Sequence, residues 1–110
     1  MRRNIALDYG EQTKIYLYTH WGAEELEETL RQALSRGCDR WSDPEYLARI
    51  IFSEMIRDAV LETTGYGIAP HVMDDEYPTI EVDLKKQTVG SQSFEEFVGA
   101  SGYTCPIYQH

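Results

Sequence analysis

The stretch that begins Ser42-Asp43-Pro44-Glu45 constrains this chain most. Proline at the first helical position, behind a residue that can cap, is a strong helix start. Ser42 with Glu45 three residues on offers a capping box as well. From there Ala48, Ile51, Phe52, Met55, Ile56, Ala59 and Val60 fall on one helical face, and Leu47 and Ile50 widen it. An apolar arc that broad must be covered from more than one side, by another helix and by a sheet. The spacing predicts a helix from Pro44 to about Thr64, where Thr63, Thr64 and Gly65 end it.

The partners for that helix lie on either side of it. Leu26, Leu30, Ala33 and Leu34 mark a shorter helix over residues 23–35, with Gly37 as its stop. Glu24, Glu25, Glu27 and Glu28 crowd its first turns, where the positive end of the helix dipole favours them. Glu27–Arg31 and Glu28–Gln32 have i, i+4 spacing. Before it, residues 5–9 and 14–20 read as strands joined through Gly10-Glu11-Gln12. In the second strand Ile15, Leu17 and Thr19 alternate with Tyr16, Tyr18 and His20. After the long helix, residues 66–72 form a strand that Pro70 confines to an edge or a bulge. Residues 79–84 alternate cleanly, and Lys85-Lys86-Gln87 turns into Thr88-Val89. Ser93 with Glu96 signals a short capped helix.

The fold class expected is α+β: a small antiparallel sheet with two helices packed on one face. Its order is strands-helix-helix-strands, plus a short C-terminal helix. The 110 residues suit a single domain, with a loosely docked tail from about Gly99.

Charge narrows the function. Nineteen acidic residues against ten Lys plus Arg give a formal net charge of −9. The basic residues are scattered, so direct nucleic-acid binding is not expected. The field suits solubility, or attraction to a basic partner. No run is apolar enough to span a membrane, and the N-terminus is too polar for a signal peptide. Cys38 and Cys105 have no CxxC spacing and read as free thiols in a reducing compartment, so the cytoplasm is the expected location.

Motifs for chemistry are sparse. His20, His71, His110 and the cysteines lack zinc spacing. Asp74-Asp75-Glu76 lacks the pattern of a calcium loop and reads as a solvated acidic turn. There is no nucleophile elbow and no phosphate loop, so no metal or cofactor is expected. One candidate pocket gathers His20, Trp21 and Tyr66 near Gly65 and Gly67. The other candidate is a binding surface of carboxylates and tyrosines: Glu24, Glu25, Glu27, Glu28, Asp74, Asp75 and Glu76 with Tyr16 and Tyr18.

The strings Tyr18-Thr19-His20-Trp21-Gly22, Tyr46 to Ile56, Thr64-Gly65-Tyr66-Gly67-Ile68 and Glu76 to Asp83 together resemble a set of short uncharacterised proteins of bacteriophages, especially those of actinobacteria, and of prophage regions. The resemblance covers residues 14–90. It carries over no catalytic or binding residue. It implies a setting: a small accessory protein acting in a bacterial host cell. Small acidic phage proteins often block host machinery, defence systems included, and some mimic the charge of DNA. The leading expectation is therefore a non-enzymatic inhibitor that binds a host protein with a basic surface. The alternatives are a small enzyme or ligand-binding domain at the His20 pocket, and a homo-oligomeric assembly protein.

Overall fold

The computed structural model describes residues 1–73 and 76–99. Strand β1 (Arg3–Gly10) and strand β2 (Thr13–Thr19) form the expected hairpin, with Ile5 opposite Leu17 and Leu7 opposite Ile15. A 3₁₀ turn (Ala23–Glu25) leads into helix α1 (Leu26–Arg36). A second 3₁₀ turn (Cys38–Arg40) leads into helix α2 (Pro44–Met55). Strands β3 (Tyr66–Ala69), β4 (Ile80–Asp83), β5 (Thr88–Val89) and β6 (Gln92–Ser93) follow, then helix α3 (Phe94–Gly99).

The class is α+β, but the sheet corrects the expectation twice. Among the described residues it has six strands, in the order β3-β2-β1-β4-β5-β6, and it is mixed rather than antiparallel. β4 runs parallel to β1, with Ile5 beside Ile80 and Leu7 beside Val82. The physical sign is on β1 itself. Arg3, Asn4, Ile5, Ala6 and Leu7 are all buried, as residues of a strand flanked on both edges are. The two 3₁₀ turns also interrupt the simple strands-helix-helix-strands order.

One core joins Ile5, Leu7, Leu17, Ile80, Val82 and Val89 of the sheet to the helices. Leu26, Leu30, Ala33 and Leu34 come from α1, Leu47, Ala48, Ile51 and Met55 from α2, and Phe94, Phe97 and Val98 from α3. α2 ends at Met55, nine residues before Thr64, the expected end. Met55 is its last core residue, and from Arg57 to Thr64 every residue but Ala59 is exposed. With nothing left to bury, the chain proceeds by tight turns, in which Ala59 N–H donates to Ile56 O and Glu62 N–H to Ala59 O. No side-chain cap bond forms at Asp43, and Pro44 stands at the first helical position. Near the end of α2, Glu54 is buried and accepts from Arg36 Nε at 2.9 Å and Arg57 Nη1 at 3.1 Å, which ties α2 to α1.

The short C-terminal helix begins as its sequence signals. Ser93 N–H donates to Glu96 Oε1, and Glu96 N–H donates to Ser93 Oγ, both at 3.0 Å. The Ser93 backbone bond first, and its hydroxyl second, hold the Glu96 carboxyl below the usual carboxylate range. A depressed folded pKa gives stability that is complete above the unfolded value of about 4.3 and is lost as pH falls through the folded value. Acid is therefore expected to loosen α3 below about pH 4. An NMR titration of Glu96 checks this, since Ser93→Ala is expected to return the carboxyl toward its ordinary pKa.

The tail from residue 100, Asp74 and Asp75 lie outside the described residues. No helix among the described residues is long and apolar enough to cross a membrane.

Candidate functional site

The acidic start of α1 is built around a buried arginine. Leu26 and Leu30 turn the apolar stripe of α1 inward, which leaves Glu24, Glu25 and Glu27 exposed. Arg3, 9 % exposed, reaches under them from β1. Its Nε donates to Pro78 O at 2.7 Å, its Nη1 to Ala23 O at 3.2 Å and its Nη2 to Glu27 Oε1 at 3.1 Å. The guanidinium lies 5.8 Å from the centre of the Tyr77 ring, and Tyr77 donates its hydroxyl to Glu24 Oε1 at 3.2 Å. Desolvation first, and that carboxylate second, raise the pKa of the Tyr77 hydroxyl. Glu76 accepts from Arg2 N–H at 3.2 Å, and Glu28 pairs with Arg31 at 3.5 Å. The expected Glu27–Arg31 pair is thus replaced: Glu27 turns to Arg3, and Glu28 takes Arg31. Glu24, Glu27 and Glu76 share one end of the sheet, where they also serve the fold.

Tyr16 and Tyr18 are not part of that group. They lie on the sheet face opposite the helix layer, where β2 alternation puts them with Lys14 and His20. Register sets Asn4 across from Tyr18 and Ala6 across from Tyr16, with Glu81 on the other side of Ala6. Asp83 stands beside Asp8. Lys14 Nζ reaches over to Glu81 Oε1 at 3.5 Å, and Glu81 is the first cause of the raised Lys14 pKa. Asp8 Oδ1 accepts from Gly10 N–H at 2.8 Å, and Asp83 Oδ1 accepts from the N–H groups of Lys85 and Lys86. An open cleft of about 440 Å³ lies among Asp8, Glu81, Asp83, Lys86, Thr88 and Ser91. Sequence reasoning missed Asp8, which the hairpin register sets beside Lys14, and Glu81 and Asp83, which only the parallel β1–β4 register brings to this face.

The pocket expected at His20, Trp21 and Tyr66 forms a corner of rings. His20 Nδ1 meets Tyr18 Oη at 3.3 Å and accepts from Arg2 Nε at 3.4 Å. Trp21 meets His20 edge-on at 5.2 Å and Tyr66 at 6.5 Å. The Thr19 hydroxyl donates to Trp21 O, and His20 N–H donates to Gly65 O at 2.8 Å. Trp21 also lies over Gly65: a Cβ there would stand 2.6 Å from its Cζ2. The space beside Gly65 is therefore filled by the indole.

Gly65 adopts φ +100°, which disfavours any side chain. Gly65→Ala is expected to cost about 1–3 kcal/mol. In a Trp21→Ala background the clash disappears and only the backbone cost remains, so a urea double-mutant cycle should show coupling between the two sites.

Among the described residues no group of three His, Cys, Asp or Glu can hold a metal ion. Cys38 is buried and disulfide-bonded, which corrects its reading as a free thiol and removes it as a nucleophile; Cys105 lies outside the described residues. Compared with protein-family models, curated proteins and solved structures, the chain finds no match.

Proposed function

We propose that this chain is a non-enzymatic accessory protein of phage origin that binds and inhibits a host protein with a basic surface, such as a nucleic-acid-binding defence complex. The observation that carries the reading is the open sheet face. Tyr16 and Tyr18 stand there half-buried, one strand away from Ala6, with Glu81 and Asp83 beyond it. Tyrosine held in a strand gives a partner large contact area at small entropic cost, and its hydroxyl gives a hydrogen bond. The net charge of −9 supplies steering, and Glu24, Glu25, Glu28 and Glu76 add to the field from one end of the sheet. The phage setting rests on the sequence resemblance. Trp21 occupies the space beside Gly65, which disfavours a ligand pocket there.

The test is capture of a partner from bacterial host lysate, with washes at low and high salt. A basic partner is expected, released as salt rises. Tyr16→Ala with Tyr18→Ala should weaken it about 100-fold. Glu24→Lys with Glu25→Lys and Glu28→Lys should slow association and flatten its salt dependence. Glu27 is left intact there, since it holds Arg3. Binding that survives both sets unaltered would sink the proposal.

A further inference from the structure

Among the described residues β3 is the outer strand of the sheet on the β2 side, and its far edge offers backbone N–H and C=O groups that another extended chain can pair. Outer strands commonly carry lysine, an inward charge or an internal proline that discourages such pairing. Tyr66-Gly67-Ile68-Ala69 carries none of these, and Pro70 comes only after the strand. Ile68 is 60 % exposed although its partner in register, Leu17, is fully buried. A Cβ placed on Gly67 would meet nothing within 4 Å. Val60, Leu61 and Val72, on the segments flanking β3, are exposed as well, and so is Trp21 at the β2 end.

Charge distribution says which occupant fits. Residues 15–23 and 63–73 contain no Asp, Glu, Lys or Arg, and they include β2 beyond Lys14 and the whole of β3. This edge is the neutral side of a chain whose net charge is −9. A basic partner gains nothing from a neutral edge. A second copy gains most, because pairing β3 with β3 brings no charged residue of that strand against another.

We infer that two copies associate by antiparallel pairing of their β3 strands about a twofold axis near Ile68. The contact is isologous, which closes the assembly at two. Ile68 of one copy then faces its counterpart on the helix side of a continuous sheet, and both tyrosine faces stay open. The inference does not depend on the partner proposed above, and its salt dependence has the opposite sign: screening should strengthen association of two −9 chains, whereas it weakens capture of a basic protein.

Sedimentation of the pure chain from about 1 µM to about 500 µM tests it, at about 0.05 M and about 0.5 M salt. The expected result is a shift from the 12.7 kDa chain to a species of twice that mass, favoured by salt. Ile68→Lys puts a charge at the axis and should weaken association at least about tenfold. Should that variant unfold, hydrogen exchange of the unmodified chain decides. Amides of β3 gain protection with concentration if the pairing forms, and do not if it is absent. A monomer under every condition, or a dimer that a folded Ile68→Lys chain keeps unchanged, overturns the inference.

Discussion

Replacing Phe94 by alanine is expected to cost about 3–5 kcal/mol of folding stability, the largest single loss in the core. Phe94 is 1 % exposed and lies edge-on to Trp41, with ring centres 5.4 Å apart. Trp41 in turn donates its indole N–H to Leu34 O at 2.9 Å, which fixes the ring against α1. The backbone N–H of Phe94 donates to Gln87 O. Phe94 therefore joins the β4–β5 turn and α3 to the α1–α2 connection. Truncation leaves a cavity bounded by a tryptophan that is anchored and cannot collapse into it. Urea unfolding followed by circular dichroism should show the midpoint fall by about 1–3 M for a small domain of this size. Phe94→Leu keeps most of the volume and should lose less than about half as much. A loss below about 1 kcal/mol for the alanine variant would place the ring outside the core.

Arg3→Met should follow at about 2–4 kcal/mol. The apolar stem can remain buried, but the Pro78 and Ala23 carbonyls lose their charged donor, and Glu27 loses its partner. These acceptors come from the approach to β4, the 3₁₀ turn and α1. A guanidinium serves all three because its donors diverge in one plane; an ammonium is a single point. Arg3→Lys should thus recover less than half of the loss. Glu27→Gln alone should cost under about 1 kcal/mol, since that carboxylate is half in water. Equal stability of the lysine variant and the parent chain would contradict this account.

Local patterns were legible in the sequence and pairing was not. The α1 stripe, the β1–β2 hairpin, the Ser93–Glu96 capping box and the edge position of the Pro70 strand all follow from residues within a few positions of one another. The parallel β1–β4 pair joins residues 75 apart, such as Ile5 and Ile80, and nothing local announces it. Reading β1 as part of a small antiparallel sheet missed that its unbroken run of buried residues marks a central strand with neighbours on both edges. The apolar spacing past Met55 is helical, yet helices end where burial ends, and the extent of the sheet beneath α2 is not written in α2. The same split runs through the candidate site. Alternation alone put Tyr16, Tyr18 and His20 on one face. Asp8, Glu81 and Asp83 joined them through register, and Arg3 drew Glu27 into the fold.

The place of β1 between β2 and β4 also orders events in time. The N-terminal hairpin can close within microseconds of synthesis, because its contacts are local. Its inner edge, Ile5 to Asp8, must then wait for a strand about 75 residues downstream. Until Ile80 to Asp83 arrive, the future centre of the sheet is an exposed, strongly apolar margin on a growing chain. Residues 11–79 must be made and, in part, folded before that margin is sealed. The stage most prone to misassembly is therefore the one just before β4 is made, and conditions that delay β4 should raise aggregation far more than they alter the stability of the folded domain.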